Sequence, residues 1–253
     1  MIHIKTPEEI ETMRAANRLV AQTLRYIMAR VDEGMRTLEL DRMAEMFIRE
    51  HGGSPAFKGY RGYPCSLCTS INEEVVHGIP SKRKLKRGDI LGLDLGAIVD
   101  GFYGDSAVTL PIGEVAQESR DLLQATEQAL FVGIAQMKEG NYLGDISHAI
   151  QTHAEGLGYG VVRVFVGHGI GRALHEDPQV PNFGEPRRGP RLRRGFVLAL
   201  EPMLNIGTPD VRILSDQWTV VTADGKCSAH FEHTIAITDR GAEILTLLDG
   251  IAA

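Results

Sequence analysis

An internal repeat constrains the fold of this chain more than any other feature. The segment LKRGDILGLD, residues 85–94, aligns without a gap on LRRGFVLALE, residues 192–201, at an offset of 107 residues. Upstream, Glu33-Gly34 and the apolar periodicity that follows match Glu139-Gly140 and its periodicity at an offset of 106. Two segments with nearly the same offset indicate two related halves, which we place at about residues 1–112 and 113–253.

Each half is predicted to contain two helices followed by strands, which favours an α+β chain. Apolar residues at helical spacing predict helices over 8–29, 38–50, 119–137 and 143–155. Apolar and β-branched runs predict strands over 90–95, 107–110, 161–166, 196–200, 218–221 and 234–237. The simplest architecture is a single domain of residues 1–253, with joined sheets, outer helices and a cleft where the strands meet.

The composition is that of a globular protein and excludes several classes. With 43% hydrophobic and 24% charged residues, the chain is neither disordered nor collagenous. No apolar run reaches the roughly 18 residues of a bilayer span, and the N-terminus lacks a signal-peptide core, so we expect a cytoplasmic protein without membrane contact. A net charge of -6 argues against nucleic acid as the principal ligand. Cys65, Cys68 and Cys227 are expected to be free thiols.

Acidic residues occupy matching strand ends in the two halves. Asp94 and Glu201 are equivalent in the repeat, and Asp105 and Glu232 follow them by 11 and 31 residues, each beside a later strand. Acids on strands paired in a hairpin can face the same side of a sheet. Four carboxylates in one cleft repel each other strongly at low dielectric, so they require cations. Two divalent ions would balance their charge.

Histidines beside glycines are the candidate nitrogen donors. They are His77 in His77-Gly78, His168 in His168-Gly169, and the nearby His175. Oxygen-rich ligands with one imidazole and no thiolate suit Mn, Fe, Co or Zn at a hydrolytic centre. The alternatives stay open at this point: an isolated acid at a strand end can cap a turn, and His168 can be a hydrogen-bonded loop residue.

Motifs around these residues run in order along the chain: GYRGYP (59–64), SINE (70–73) with VHGIP (76–80), DLG (94–96), GFYGDS (101–106), GHGIG (167–171), EPM (201–203) and EHT (232–234). Over residues 7–247 the sequence resembles type I methionine aminopeptidases, the single-domain members of the pita-bread metallopeptidases. The resemblance implies two pseudo-symmetric α/β halves with a central antiparallel sheet and outer helices. It also implies a metallo-exopeptidase that removes the initiator methionine from nascent proteins and peptides with a small second residue.

The resemblance further assigns ligands for two divalent ions (Co, Mn, Fe or Zn) and a hydroxide bridging them. Asp94 would bind one metal, His168 and Glu201 the other, and Asp105 and Glu232 both. Glu201 also resembles the family's proton shuttle.

Other positions are expected to contact the substrate. His175 would donate to the scissile carbonyl, and His77 would contact the substrate near the scissile amide. Leu174 stands where a bacterial relative has phenylalanine. We expect this difference to affect how tightly the pocket holds the methionine side chain, but not the hydrolysis of the peptide bond. The remaining pocket positions implied are Tyr60, Tyr63, Cys68 and Trp218, for each of which plain core packing is the alternative.

Two basic clusters precede the equivalent strands of the repeat. A solvated turn is one interpretation, and contact with ribosomal RNA near the exit tunnel is the other, because the family acts on nascent chains. A monomer is the family expectation. The clusters are Lys82, Arg83, Lys84, Lys86 and Arg87, and Arg187, Arg188, Arg191, Arg193 and Arg194.

Two rival functions are weighed against the aminopeptidase. A proline-directed peptidase of the same fold carries an added N-terminal domain, whereas this sequence enters its first predicted helix by about Glu8. A binding protein of this fold that has lost its metals would show replaced ligands, whereas all five positions retain ligand residues here.

Overall fold

The computed structural model describes residues 1–247, and two helices lie in each half of that range. The first helix begins as the sequence predicts, with Thr6 and Glu9 forming a reciprocal capping box and Pro7 in the first turn. The helices are α1 (Pro7–Met28), α2 (Thr37–Glu50), α3 (Gln117–Ile134) and α4 (Leu143–Gly156).

Strands fill the sequence between and after the helix pairs, and a short 3-10 helix spans Tyr60–Gly62. The strands of the first half are β1 (Ser54–Pro55), β2 (Cys68–Ile71), β3 (Glu74–Val76), β4 (Ile90–Val99) and β5 (Phe102–Pro111). Those of the second half are β6 (Gly160–Val161), β7 (Gly167–Gly169), β8 (Glu176–Val180), β9 (Val197–Leu200), β10 (Met203–Asn205), β11 (Val211–Ile213), β12 (Val220–Thr222), β13 (Ser228–His230), β14 (His233–Thr238) and β15 (Gly241–Ile244).

These strands form four sheets, and the pairs among residues 1–247 are antiparallel. In the first half, β4 pairs with β1, β2 and β5. In the second half the order is β15-β14-β9-β7-β8. Two three-stranded sheets, β13-β10-β6 and β11-β12-β3, complete the arrangement. Helices paired with antiparallel sheets confirm the α+β class.

The repeat is visible in backbone hydrogen bonds before the second helix of each half. Gly34 N–H donates to the carbonyl of Leu85 at 2.8 Å, and Gly140 N–H donates to that of Leu192 at 2.9 Å. Leu85 and Leu192 N–H donate in turn to Met35 and Asn141. The offsets between matching partners are 106 and 107 residues, so similar sequences form similar local structure in both halves.

The two halves meet at a short antiparallel bridge between Ala107 of β5 and Glu232, the residue before β14. Glu232 N–H donates to the Ala107 carbonyl at 2.9 Å. Side chains reinforce the bridge: Ser106 Oγ donates to the Glu232 carbonyl at 2.6 Å, and Thr234 Oγ1 donates to the Asp105 carbonyl at 2.8 Å. The junction therefore holds Asp105 and Glu232 side by side.

Each half has its own apolar cluster under its helices. Leu40, Leu93 and Leu95 belong to the cluster beneath α1 and α2, whereas Leu122 and Leu198 belong to the one beneath α3 and the second-half strands. Val108 of β5 packs against both clusters. These two clusters are thus joined at the central strands.

Two predicted strands were wrong in extent. The strand expected over 161–166 ends at Val161, because Val164 is 70% exposed and the chain leaves the sheet for the rim of a cavity. The strand expected over 218–221 begins at Val220, because the N–H groups of Trp218 and Thr219 donate to Asp216 Oδ1 in a turn. The other predicted helices and strands lie within a few residues of their observed bounds.

Within residues 1–247, no helix combines the length and apolar character that crossing a membrane requires.

Candidate metal centre and adjoining cavity

The hairpin of β4 and β5 places the two acids of the first half on one face. Asp94 pairs with Ala107 and Gly96 pairs with Asp105, so the acids stand two positions apart across the ladder. Because side chains alternate along a strand, both carboxylates point to the same side. The expectation that a hairpin would bring them together is confirmed, although Asp105 lies within β5 rather than ahead of it.

The second half supplies two acids just beyond a paired stretch of sheet. Leu200, the last residue of β9, pairs with His233, the first residue of β14. Glu201 and Glu232 are the residues immediately beyond that pair. The backbone bridge between Glu232 and Ala107 also places the Glu232 carboxylate beside the acids of the first half. The junction of the halves is thus the place where the four acids converge.

His168 lies on a strand, not in a loop. It belongs to β7 and pairs with Ala199 of β9, and its side chain is buried. Its Nδ1 lies 2.9 Å from the carbonyl oxygen of Gly169, which leaves Nε2 facing the acids. Nε2 is 3.6 Å from Glu201 Oε1 and 3.9 Å from Asp105 Oδ2.

Three of these groups lie close enough together to bind the same cation. One ligand atom each from Asp105, His168 and Glu232 lies within 4.8 Å of the other two, and all three residues are buried. Asp94 and Glu201 face the same cavity.

Burial dominates the electrostatics of the four carboxyls. It raises the pKa of Asp94 to about 7. Burial and the neighbouring carboxylates raise the pKa values of Asp105, Glu201 and Glu232 well above their usual range. Without a cation, the protein therefore keeps part of this cluster protonated near neutral pH.

The cluster fits divalent cations. Buried oxygens Oδ1 of Asp94, Oδ1 of Asp105 and Oε1 of Glu232 have no hydrogen-bond partner, and an unpaired buried acceptor is costly. Burial lowers the pKa of His168 to about 3, so its imidazole is neutral and able to ligate. Oxygen ligands with one imidazole are the donor set preferred by Mn, Fe, Co and Zn at hydrolytic centres.

A cavity of about 320 Å³ opens above the acids and contains all the substrate positions expected from the sequence. Tyr63 and Cys68 are buried in its wall, and Tyr63 meets Trp218 edge to face at a centroid distance of 5.0 Å. Leu174 is also buried in the wall. The expected positions lining the cavity are Tyr60, Tyr63, Cys68, His77, Asp94, Asp105, His168, Leu174, His175, Glu201, Trp218 and Glu232.

Two neutral imidazoles flank the acids in this cavity. Burial lowers the pKa values of His77 and His175 to about 4 each. His175 Nδ1 lies 2.8 Å from the hydroxyl of Tyr60, and its ring is 4.2 Å from that of His168. His77 has a positive φ of 61° and lies edge-on to Trp218.

Sequence reasoning missed several residues at the site. Phe57, Phe165 and Gln179 line the cavity, and no motif marked them. His230 of β13 is buried with Nε2 unpartnered, 3.9 Å from Glu201 Oε2. Its position two residues before Glu232 was the available signal, since side chains of that spacing share a face of an extended chain.

Comparison with known proteins identifies the family. A model of metallopeptidase family M24 matches residues 11–239. Over 246 residues the chain is 52% identical to methionine aminopeptidase 1 of Bacillus subtilis, covering 97% of this chain and 99% of that protein. It is 53% identical to a methionine aminopeptidase of Clostridium acetobutylicum over 250 residues, covering 98% of this chain and all of that protein. The chain belongs to the methionine aminopeptidases of family M24.

The fold agrees with this membership. The crystal structure of methionine aminopeptidase from Thermotoga maritima superimposes with a TM-score of 0.96 at 47% identity, covering 98% of this chain and all of that one. The pita-bread architecture expected from the sequence is thereby confirmed. Membership of an M24 metallopeptidase family and the cluster of Asp105, His168 and Glu232 together support divalent-metal binding.

The basic clusters lie on corresponding exposed turns, one before β4 and the other before β9. Some of their side chains form ion pairs. Arg83 pairs with Glu74, and Arg194 pairs with Glu139. Such exposed pairs contribute about 0–1 kcal/mol to stability.

Proposed function

We propose that this chain removes the initiator methionine from nascent proteins and peptides whose second residue is small. The observation that carries the proposal is the position of the acids. Four carboxyls lie beside a neutral His168 in a cavity walled by polarisable side chains, and those of Asp94, Asp105 and Glu232 have buried oxygens without a hydrogen-bond partner. The relatives at 52% and 53% identity are named methionine aminopeptidases, which supports the same activity here.

We assign five residues to two divalent cations. Asp94 is proposed to hold one, His168 and Glu201 the other, and Asp105 and Glu232 both. The bridge between Ala107 and Glu232 supports the assignment of the shared pair, because it fixes Asp105 and Glu232 beside one another. When bound, divalent Co, Mn, Fe or Zn would lower the pKa of a water molecule and stabilise negative charge on the oxygen of the scissile carbonyl.

The chain's own groups are proposed to move the protons. Glu201 accepts a proton from the attacking water and passes it to the departing amine. His175, which is neutral at pH 7, donates a hydrogen bond to the carbonyl oxygen as charge develops there. His77 contacts the substrate near the scissile amide. Its lowered pKa likewise keeps it neutral.

Methionine selection is assigned to the wall of the cavity. An unbranched thioether makes favourable contacts with aromatic rings and other polarisable groups. Tyr63, Cys68 and Trp218 provide such a surface, and Tyr60 lies on the side of His175. Leu174 closes the wall with a branched aliphatic side chain in place of a ring, so we expect a looser pocket with undiminished chemistry.

A pair of peptides tests the reaction. After treatment with EDTA and reconstitution with Mn, Co, Fe or Zn, the protein is expected to hydrolyse Met-Ala-Ser and to leave Ala-Pro-Gly intact. Cleavage of Ala-Pro-Gly alone would establish a proline-directed peptidase. Turnover of neither peptide with any of the four metals would establish a binding protein and overturn the proposal.

Replacement of Asp105 tests the ligand assignment. Asp105→Ala is expected to abolish metal binding, measured by isothermal titration calorimetry, and activity on Met-Ala-Ser. A water molecule cannot replace the charge of a bridging carboxylate, whereas the two apolar clusters do not depend on it. Asp239→Asn, in the exposed turn after β14, is the matched control and should behave as wild type. Wild-type activity in Asp105→Ala would refute the assignment.

We further propose that the protein acts in the cytoplasm as a monomer, and that its basic clusters contact ribosomal RNA. Their placement on corresponding exposed turns supports a common contact face. Charge reversal at Lys84 and Lys86 together with Arg191 and Arg193 should weaken cosedimentation with ribosomes at low salt, and the difference from wild type should shrink at higher salt because salt weakens phosphate contacts. If the charge-reversed variant cosediments with ribosomes as well as wild type does, this part of the proposal is refuted.

A further inference from the structure

The loop of residues 170–176 presents two side chains to the cavity. Leu174 is buried in the wall, and the ring of His175 stacks on that of Tyr60 and lies 4.2 Å from that of His168. Five residues separate His175 from the end of β7, and β8 begins directly after it, at Glu176. The direction of both side chains therefore depends on what holds this loop.

Glu176 holds the backbone of this loop through hydrogen bonds on the side away from the cavity. Its Oε1 accepts the N–H of Arg172 at 2.8 Å and the N–H of Ala173 at 3.1 Å. Its Oε2 accepts a hydrogen bond from the ammonium of Lys5, which also donates to the carbonyl of His3 at 3.1 Å. We call Glu176 and Lys5, with the two N–H groups, the loop clamp.

The clamp is buried, unlike the other lysine and arginine ion pairs in the described chain. The side chains of Lys5 and Glu176 are 5% and 9% exposed. A buried carboxylate whose partner is removed is strongly destabilised, because its charge has no water to solvate it. The pair therefore contributes to the position of the loop far more than an exposed pair would.

Surrounding groups leave the clamp little room to move. A Cβ at Gly171 would lie 2.5 Å from Lys5 Cε and 2.8 Å from Glu176 Oε1. The backbone N–H of Lys5 donates to the carbonyl of Gly195, in the turn before β9. The clamp therefore lies between the loop and the turn before β9, the strand that ends directly before Glu201.

We propose that Glu176 is a positioning residue, which with Lys5 fixes Leu174 and His175 against the cavity and so sets both the rate of peptide cleavage and the fit of the substrate side chain. The inference rests on the proposed function for its kinetic part. Glu176 does not itself line the cavity, so it acts through the residues it holds.

An exposed anchor of the same loop provides the control. Arg172 pairs with Glu9 at 3.2 Å, and its guanidinium lies 4.3 Å from the ring centre of Phe102. The Arg172 side chain is 66% exposed, so its loss should change the loop little. Arg172→Ala therefore removes a loop contact without removing the buried clamp, because the N–H of residue 172 remains.

The first test is kinetic. In Glu176→Ala, kcat for Met-Ala-Ser is expected to fall between about 10-fold and 100-fold with a raised KM, since a misplacement of about 1 Å can cost about 100-fold. Glu176→Gln keeps an oxygen for the two N–H groups but loses the charge that faces Lys5, so it should recover part of the loss. Arg172→Ala should keep both constants within about twofold of wild type. Metal affinity by calorimetry should be unchanged in all three.

The second test does not depend on activity. In the metal-free protein, the NMR ring signals of His175, assigned by their absence in His175→Ala, should move in Glu176→Ala and stay in place in Arg172→Ala. If wild-type protein does not cleave Met-Ala-Ser, the proposed function fails and the NMR comparison alone decides on the clamp. Unmoved His175 signals in a folded Glu176→Ala overturn it. The proposal is also overturned if kcat and KM of Glu176→Ala equal those of wild type, or if Glu176→Gln recovers none of the loss.

Discussion

Replacing Asp94 with asparagine is expected to stabilise the metal-free protein at pH 8 while destroying its response to metal. Burial raises the pKa of Asp94 from 3.8 to about 7. Between these values the folded protein holds a proton that the unfolded chain has released. The free energy of unfolding therefore falls as the pH rises through this window and is level above it.

The size of the effect follows from the same two values. Each pKa unit corresponds to about 1.4 kcal/mol, so the ionised Asp94 costs the metal-free protein up to about 4 kcal/mol at pH 8. Asparagine has a similar shape and carries no charge. The stability advantage of Asp94→Asn over wild type should widen by about 3 kcal/mol between pH 5 and pH 8, because about two pKa units of the window lie above pH 5.

Urea denaturation of EDTA-treated protein, followed by far-ultraviolet circular dichroism at pH 5 and pH 8, measures this difference. Asp239→Asn, which replaces an exposed carboxylate, should differ from wild type equally at both pH values. Saturating metal should reverse the order, since a ligand that binds the folded state stabilises it. An advantage of Asp94→Asn that is absent at pH 8, or equal at both pH values, would refute the electrostatic reasoning.

Three further substitutions test the wall and the core. Tyr60→Phe removes the hydroxyl 2.8 Å from His175 Nδ1, and kcat should fall about fivefold, for about 1 kcal/mol, with unchanged metal affinity by calorimetry. Trp218→Ala removes a cavity wall, and KM for Met-Ala-Ser should rise about fivefold with little change in kcat. Leu93→Ala leaves a gap in the first-half cluster and should lower the free energy of unfolding by about 2–5 kcal/mol in urea, without altering kcat of the folded protein.

The repeat explains why so much of the site was predictable. It set Asp94 and Glu201 at equivalent strand ends, and hairpin geometry then selected Asp105 as a second acid on the same face. These inferences needed only sequence spacing and strand periodicity. The proximity of Asp105 and Glu232 depends on the bridge between Ala107 and Glu232, and their shared role came from the family resemblance.

What the sequence could not predict depends on distant contacts. His230 faces Glu201 because β13 pairs with β10, and its spacing from Glu232 alone did not indicate that contact. Val164 was assigned to a strand because valine favours strands, but the paired segment ends at Val161, with one further hydrogen bond from Val162 N–H to the Met203 carbonyl, and Val164 lines the cavity instead. The bond between Lys5 and Glu176 joins residues 171 positions apart, so no local pattern indicates it.

Counting bound metal tests the central claim most directly. The two related halves are proposed to contribute two pairs of acids, which together would hold two ions. Equilibrium dialysis of EDTA-treated protein against manganese, with the metal in each compartment measured by mass spectrometry, should give two ions per wild-type chain at saturation. A single ion per fully active chain, or none, would contradict the account.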